Sequence, residues 1–200
     1  MKTRKIQALA GVVGAILVLS DGTSWAVAKQ CEPNVECWGT RKDDKLKGTG
    51  ERDIIYGWGG EDTIFGRGSS DRLYGGKDAD EIWGGRGYDI LIGGPGFGTD
   101  RLHGGRGDDR LEGREGDDFL YGGLGNDSLE AGKGSDYYIF GPSWGFDRIL
   151  DPNNFNTVEL TAVTSDLHIN LVSRGEQARS EDCRCLLEDQ LARQRHPRCS

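Results

Sequence analysis

The residues of this chain best equipped for chemistry are its aspartates, and they are regularly spaced. Asp44, Asp53, Asp62, Asp71, Asp80, Asp89, Asp100, Asp109, Asp118, Asp127, Asp136 and Asp147 follow one another at nine residues, with eleven at Asp89–Asp100 and at Asp136–Asp147. Residues 57–139 hold seventeen acidic and nine basic side chains. Carboxylates brought together by a repeat repel one another unless cations lie between them. Calcium suits such a donor set: it takes about six to eight oxygens at ~2.3–2.6 Å and accepts flexible geometry. Magnesium demands a stricter octahedron. Zinc lacks its nitrogen and sulfur donors there, since His103 is the only candidate in the span. Catalytic signals are weak: the chain has no His-Glu-x-x-His and only three His, none beside a nucleophile.

Glycines and apolar residues keep step with the aspartates. Numbering each nine-residue unit so that Asp is position 6, position 1 is Gly from Gly39 to Gly122, then Ala131. Position 8 is Leu46, Ile55, Ile64, Leu73, Ile82, Leu91, Leu102, Leu111, Leu120, Leu129, Tyr138 and Ile149. Of 33 Gly, 28 fall between Gly39 and Gly141, which excludes the every-third-residue glycine of collagen. Glycine tolerates positive φ and lets carbonyls approach a ligand closely. The first six residues of a unit are therefore expected to form a tight turn and the last three a short strand. Alternation then turns position 8 inward and positions 7 and 9 outward. Two units make one coil turn, so about twelve units predict about six turns. One apolar side chain per nine residues cannot offset a backbone ordering cost of roughly 1–2 kcal/mol per residue. The fold needs help from outside its core.

Three units show the pattern in full: Gly84-Gly85-Arg86-Gly87-Tyr88-Asp89-Ile90-Leu91-Ile92, the unit Gly104–Glu112, and the unit Gly122–Glu130. Gly-Gly-x-Gly-x-Asp-x-apolar-x resembles the hemolysin-type (RTX) calcium-binding nonapeptide repeat, over residues 39–150. The resemblance implies an all-β fold, a right-handed parallel β-roll (solenoid) with short capping segments. It implies several Ca²⁺ ions at Asp62, Asp71, Asp80, Asp89, Asp100, Asp109, Asp118, Asp127 and Asp136. It also implies that each ion bridges a turn and its neighbour two repeats along, which pairs Asp71 with Asp89, Asp109 with Asp127, and Asp118 with Asp136. The N-terminal units depart from the pattern, with Glu51, Ser69 or Asp78 at position 4, and 39–56 is expected to cap the roll with little metal. The metal-free chain is expected to be largely disordered and to fold on calcium.

The flanks read differently. Residues 1–28 carry Lys2, Arg4 and Lys5, an apolar run Ala8–Leu19 and a closing Ala26-Val27-Ala28, the pattern of a bacterial-type export signal peptide. Twelve apolar residues are too few to span a bilayer, so no transmembrane segment is expected after cleavage and the protein is expected outside the cell. Residues 29–38 form an extension, 151–175 cap strands, and 176–200 a polar tail with Cys183, Cys185 and Cys199. With His196 these three have the donor types of a zinc site, but their spacing favours oxidised or unpaired thiols. Cys31 and Cys37 could close a small loop. A formal charge of −8 excludes a nucleic-acid footprint. The favoured function is a non-enzymatic secreted calcium-binding protein with a structural or adhesive role. The alternative is a small secreted calcium-dependent enzyme or its targeting module. A cell-surface, carbohydrate or protein ligand is a third expectation, because Tyr56, Phe65, Tyr74 and Trp83 occupy position 9 of consecutive units and should point outward.

Overall fold

A computed structural model describes residues 28–33, 35–141, 145–150, 156–160 and 170–171. The export signal and the cysteine-containing tail lie outside these residues, as do 161–169 of the expected cap strands.

Sixteen strands, β1 (Ala28–Gln30), β2 (Glu36–Trp38), β3 (Lys45–Lys47), β4 (Ile54–Gly59), β5 (Thr63–Gly68), β6 (Arg72–Lys77), β7 (Glu81–Arg86), β8 (Ile90–Gly94), β9 (Arg101–Arg106), β10 (Arg110–Glu115), β11 (Phe119–Leu124), β12 (Ser128–Lys133), β13 (Tyr137–Phe140), β14 (Arg148–Ile149), β15 (Thr157–Leu160) and β16 (Asn170–Leu171), make up the described secondary structure. Odd-numbered strands form one eight-stranded sheet and even-numbered strands the other, each in chain order. Every pairing is parallel and joins units two repeats apart, as in Leu111 level with Leu91 and Leu129. The chain therefore coils as a β-solenoid of about seven turns, one more than the twelve units predict. The extra layers come from the flanks: β1 and β2 precede Gly39, and β14, β15 and β16 continue the two sheets at the far end.

The core is a double row of the position-8 residues. Leu46, Ile55, Ile64, Leu73, Ile82, Leu91, Leu102, Leu111, Leu120 and Leu129 are fully buried, and Cys37 continues the even row beneath Ile55. The strands are longer than expected. They run six residues rather than three, through positions 7–9 and on into positions 1–3. Position 1 lacks a side chain, so its residue also faces inward without filling the narrow interior, and the ladder can continue across it. What the sequence reads as the first half of a turn is the second half of a strand.

Position 9 makes ring stacks. Trp38, Tyr56 and Tyr74 stack along the even sheet with centroids 4.2 and 4.7 Å apart. Phe65, Trp83, His103 and Tyr121 do the same along the odd sheet at 4.8, 5.1 and 4.3 Å. The planes lie within 17° of parallel. The rings thus spend their faces on one another and turn edges outward.

Candidate metal centres

Each turn ends in its aspartate, and the structure buries these carboxylates as deeply as the leucines: Asp89, Asp118 and Asp136 have no exposure at all. The reason is hydrogen bonding along the coil axis. The amide N–H of each aspartate donates to Oδ1 of the aspartate one layer further on. The distances are 2.8 Å for Asp62 to Asp80, Asp71 to Asp89, Asp80 to Asp100 and Asp89 to Asp109. They are 2.9 Å for Asp100 to Asp118 and Asp118 to Asp136, 2.7 Å for Asp109 to Asp127, and 2.8 Å for Asp127 to Asp147. The expected pairs Asp71–Asp89, Asp109–Asp127 and Asp118–Asp136 are thus neighbours in consecutive layers. Asp100, at the end of the eleven-residue unit, keeps its place because the extra loop Pro95–Gly98 bulges away from the ladder.

The second oxygen has a different environment. Oδ2 of Asp62, Asp71, Asp80, Asp89, Asp109, Asp118, Asp127 and Asp147 is buried without a hydrogen-bond partner. For Asp62, Asp71, Asp80, Asp89, Asp109 and Asp118 it faces the bare Cα of the unit's own position-1 glycine, where a carbonyl of the next layer also arrives. A Cβ on Gly84 would lie 2.5 Å from Asp89 Oδ2 and 2.6 Å from the Gly104 carbonyl oxygen. On Gly104 it would lie 2.6 Å from Asp109 Oδ2 and 2.5 Å from the Gly122 carbonyl oxygen. Two acceptors converging on one point with no donor repel, and burial makes an unsatisfied carboxylate oxygen expensive. A hard cation, or a proton, is what such a point accepts.

Charge tells the same story. Burial foremost, and then neighbouring aspartates, raise Asp80 to about 9 against the lowering effect of its backbone hydrogen bond. Asp109 and Asp118 rise to about 8 for the same reasons. Asp62, Asp71 and Asp100 rise to about 7, and Asp89 and Asp127 to about 6, all chiefly through burial. A divalent ion reverses this ordering by favouring the ionised form. Among the described residues no three carboxylate, imidazole or thiol groups gather at one point. An ion between these turns would therefore draw on carbonyls beside the carboxylates, which calcium accepts and zinc does not.

Turn backbone separates the units into two kinds. From Gly57 onward position 2 is left-handed, whether glycine, as at Gly85 (φ 114°), or not, as at Trp58 and Arg67 (both φ 89°) and Arg114 (φ 86°). Ser69 and Asp78, the non-glycine residues at position 4, are left-handed as well (φ 72°). The units of Asp71 and Asp80 therefore keep the turn despite their departures in sequence. The first two turns do not. Thr40 and Thr49 have ordinary φ, and their amides donate to Oδ2 of Asp44 (2.5 Å) and Asp53 (2.6 Å).

Two sets of residues escaped the sequence reading. Asn156 takes the aspartate's place in the last layer, accepting the Asp136 amide at 3.0 Å. At position 5, Asp43, Asp108, Asp117 and Asn126 accept amide hydrogens from the layer ahead at 2.8–3.0 Å. This outer ladder runs opposite in direction to the aspartate ladder, so adjacent layers are clamped both ways. A polar residue beside the repeat aspartate at 18-residue spacing was its available signal.

A parallel two-sheet coil with a buried aspartate ladder defines a calcium-binding repeat architecture. The profile of the RTX calcium-binding nonapeptide repeat matches in four copies, over residues 38–73, 65–99, 95–129 and 115–141. The chain belongs to this family. Its repeats form a calcium-binding structural domain, and the regularly spaced aspartates fit that role. No curated protein matches the chain.

Proposed function

We propose that the chain is an exported protein whose roll is assembled by calcium and serves as a structural element outside the cell. The observation that carries this reading is the row of buried Oδ2 atoms with no hydrogen-bond partner, opposed by a backbone carbonyl of the next layer at Asp62, Asp71, Asp80, Asp89, Asp109 and Asp118. Asp62, Asp71, Asp80, Asp89, Asp100, Asp109, Asp118, Asp127 and Asp136 are the proposed ligands, together with turn carbonyls. The exterior location is supported by the export-signal pattern of residues 1–28 and by the buried disulfide Cys31–Cys37, a bond that persists in oxidising compartments. A structural role is favoured over a sugar-stacking one because the position-9 rings already cover one another's faces. Calorimetric calcium titration of residues 29–200, with circular dichroism before and after chelation, tests the reading. Uptake of several ions with a gain of strand signal is expected. No uptake, or an unchanged spectrum, overturns it.

A further inference from the structure

Resting on the calcium reading above, we infer that residues 28–56 form a metal-free, oxidation-dependent end cap that templates the calcium-binding turns. Three observations converge on the same stretch. First, its aspartates are already satisfied. The Thr40 and Thr49 amides occupy Oδ2 of Asp44 and Asp53, and the Thr49 hydroxyl adds a contact to Asp53 Oδ2 at 3.1 Å. An N–H aimed at that oxygen puts positive charge where a cation would otherwise sit. The change coincides with the backbone: left-handed φ at position 2 begins at Trp58 and is missing at Thr40 and Thr49.

Second, the end of the stack is plugged by a covalent bond. Cys31 and Cys37 are joined, with 4% and 1% exposure, and Cys37 is level with Ile55 at the foot of the even core row. Third, the two strands at this end are tied to each other and to the layer above by the cap's own polar groups. The Cys31 amide donates to the Lys47 carbonyl at 2.7 Å, the Gln30 side-chain amide to the Gly48 carbonyl at 2.7 Å, and the Lys29 ammonium to the Trp38 carbonyl at 3.2 Å. Trp38 then starts the even ring stack against Tyr56. A solenoid layer is stable only on a preformed neighbour, so an end that closes without metal lowers the calcium needed by the layers stacked on it.

Closing a loop this short shifts a folding equilibrium roughly 50-fold. Spread over about four ions taken up together, that is a two- to three-fold change in the calcium midpoint. The test uses residues 29–200 and reads ion stoichiometry by calorimetry and the calcium midpoint by circular dichroism. Cys31→Ser with Cys37→Ser is expected to raise the midpoint two- to three-fold and leave the stoichiometry alone. Asp53→Asn is expected to leave the stoichiometry unchanged, whereas Asp109→Asn lowers it. A stoichiometry lowered by Asp53→Asn, or a midpoint indifferent to loss of the disulfide, overturns the cap while leaving the calcium reading standing. Should Cys31→Ser with Cys37→Ser fail to fold at any calcium concentration, the disulfide is more than a template, and the stated division of labour is overturned. A wild-type chain that takes up no calcium refutes the underlying reading instead.

Discussion

Removing calcium and lowering the pH should have opposite effects on this roll. The aspartates of the ladder titrate well above the ~3.8 of a free carboxyl: Asp80 at about 9, Asp109 and Asp118 at about 8, Asp62, Asp71 and Asp100 at about 7. A group raised on folding contributes stability that is fully present below its unfolded value and lost as pH climbs through its folded value. Each tenfold change in proton affinity between the folded and unfolded chain corresponds to about 1.4 kcal/mol. At pH 8 a fully buried carboxyl such as Asp118 therefore costs on the order of 5 kcal/mol in the metal-free roll, and several such groups together exceed the ~5–15 kcal/mol stability of an ordinary domain. At pH 5 the cost per group falls to roughly 2 kcal/mol, because the folded form is protonated and the free carboxyl is only about one pH unit past its midpoint. A proton between Oδ2 and the facing glycine carbonyl would do in acid what calcium does at neutral pH. The assay is circular dichroism of the metal-free chain from pH 8 to pH 4, followed by calcium addition at pH 8. Strand signal should be absent at pH 8, grow as the pH falls toward the ~3.8 of a free carboxyl, and return at pH 8 with calcium. A metal-free spectrum that is the same at pH 4 and pH 8, folded or unfolded, refutes the argument.

Other expectations concern single positions. Asp109→Asn keeps the Oδ1 acceptor for the Asp89 amide but replaces Oδ2 by a donor, so calorimetry should count fewer ions while saturating calcium still yields strand signal. Gly104→Ala places a methyl against the Gly122 carbonyl and Asp109 Oδ2, backbone and clamped carboxylate that cannot yield, and should cost at least ~1–3 kcal/mol in denaturant unfolding with calcium. Gly50→Ala meets nothing within 4 Å and should stay within about 0.5 kcal/mol of wild type. Leu111→Ala empties a fully buried place between Leu91 and Leu129 and should cost ~2–5 kcal/mol by the same unfolding measurement.

Much of this architecture was legible in the residues. The nine-residue period placed Asp, Gly and the apolar side chain in a constant phase, and phase alone determines which side chains turn inward in a strand. The double row from Leu46 to Ile149 and the parallel sheets follow from it. So does the gathering of carboxylates at one level of every layer. Strand length was not legible, because the glycines at positions 1 and 2 read as a turn until a neighbouring layer supplies hydrogen bonds to hold the chain extended. Nor could Asn156 be recognised as a ladder member, since its register with Asp136 depends on an insertion.

Tertiary structure decided what each carboxylate does with its two oxygens. Oδ1 is claimed by an amide 18 or 20 residues away, a partner set by the pitch of the coil. Oδ2 depends on the orientation of one peptide plane at position 2. The next layer's carbonyl lies beside Oδ2 in the first two turns as in the later ones, but Thr40 and Thr49 add an N–H that satisfies it, whereas the turns left-handed at position 2 leave it for a cation. Side-chain pattern specifies faces of a strand, but the direction of a peptide dipole in a turn is chosen by the layers stacked on either side of it.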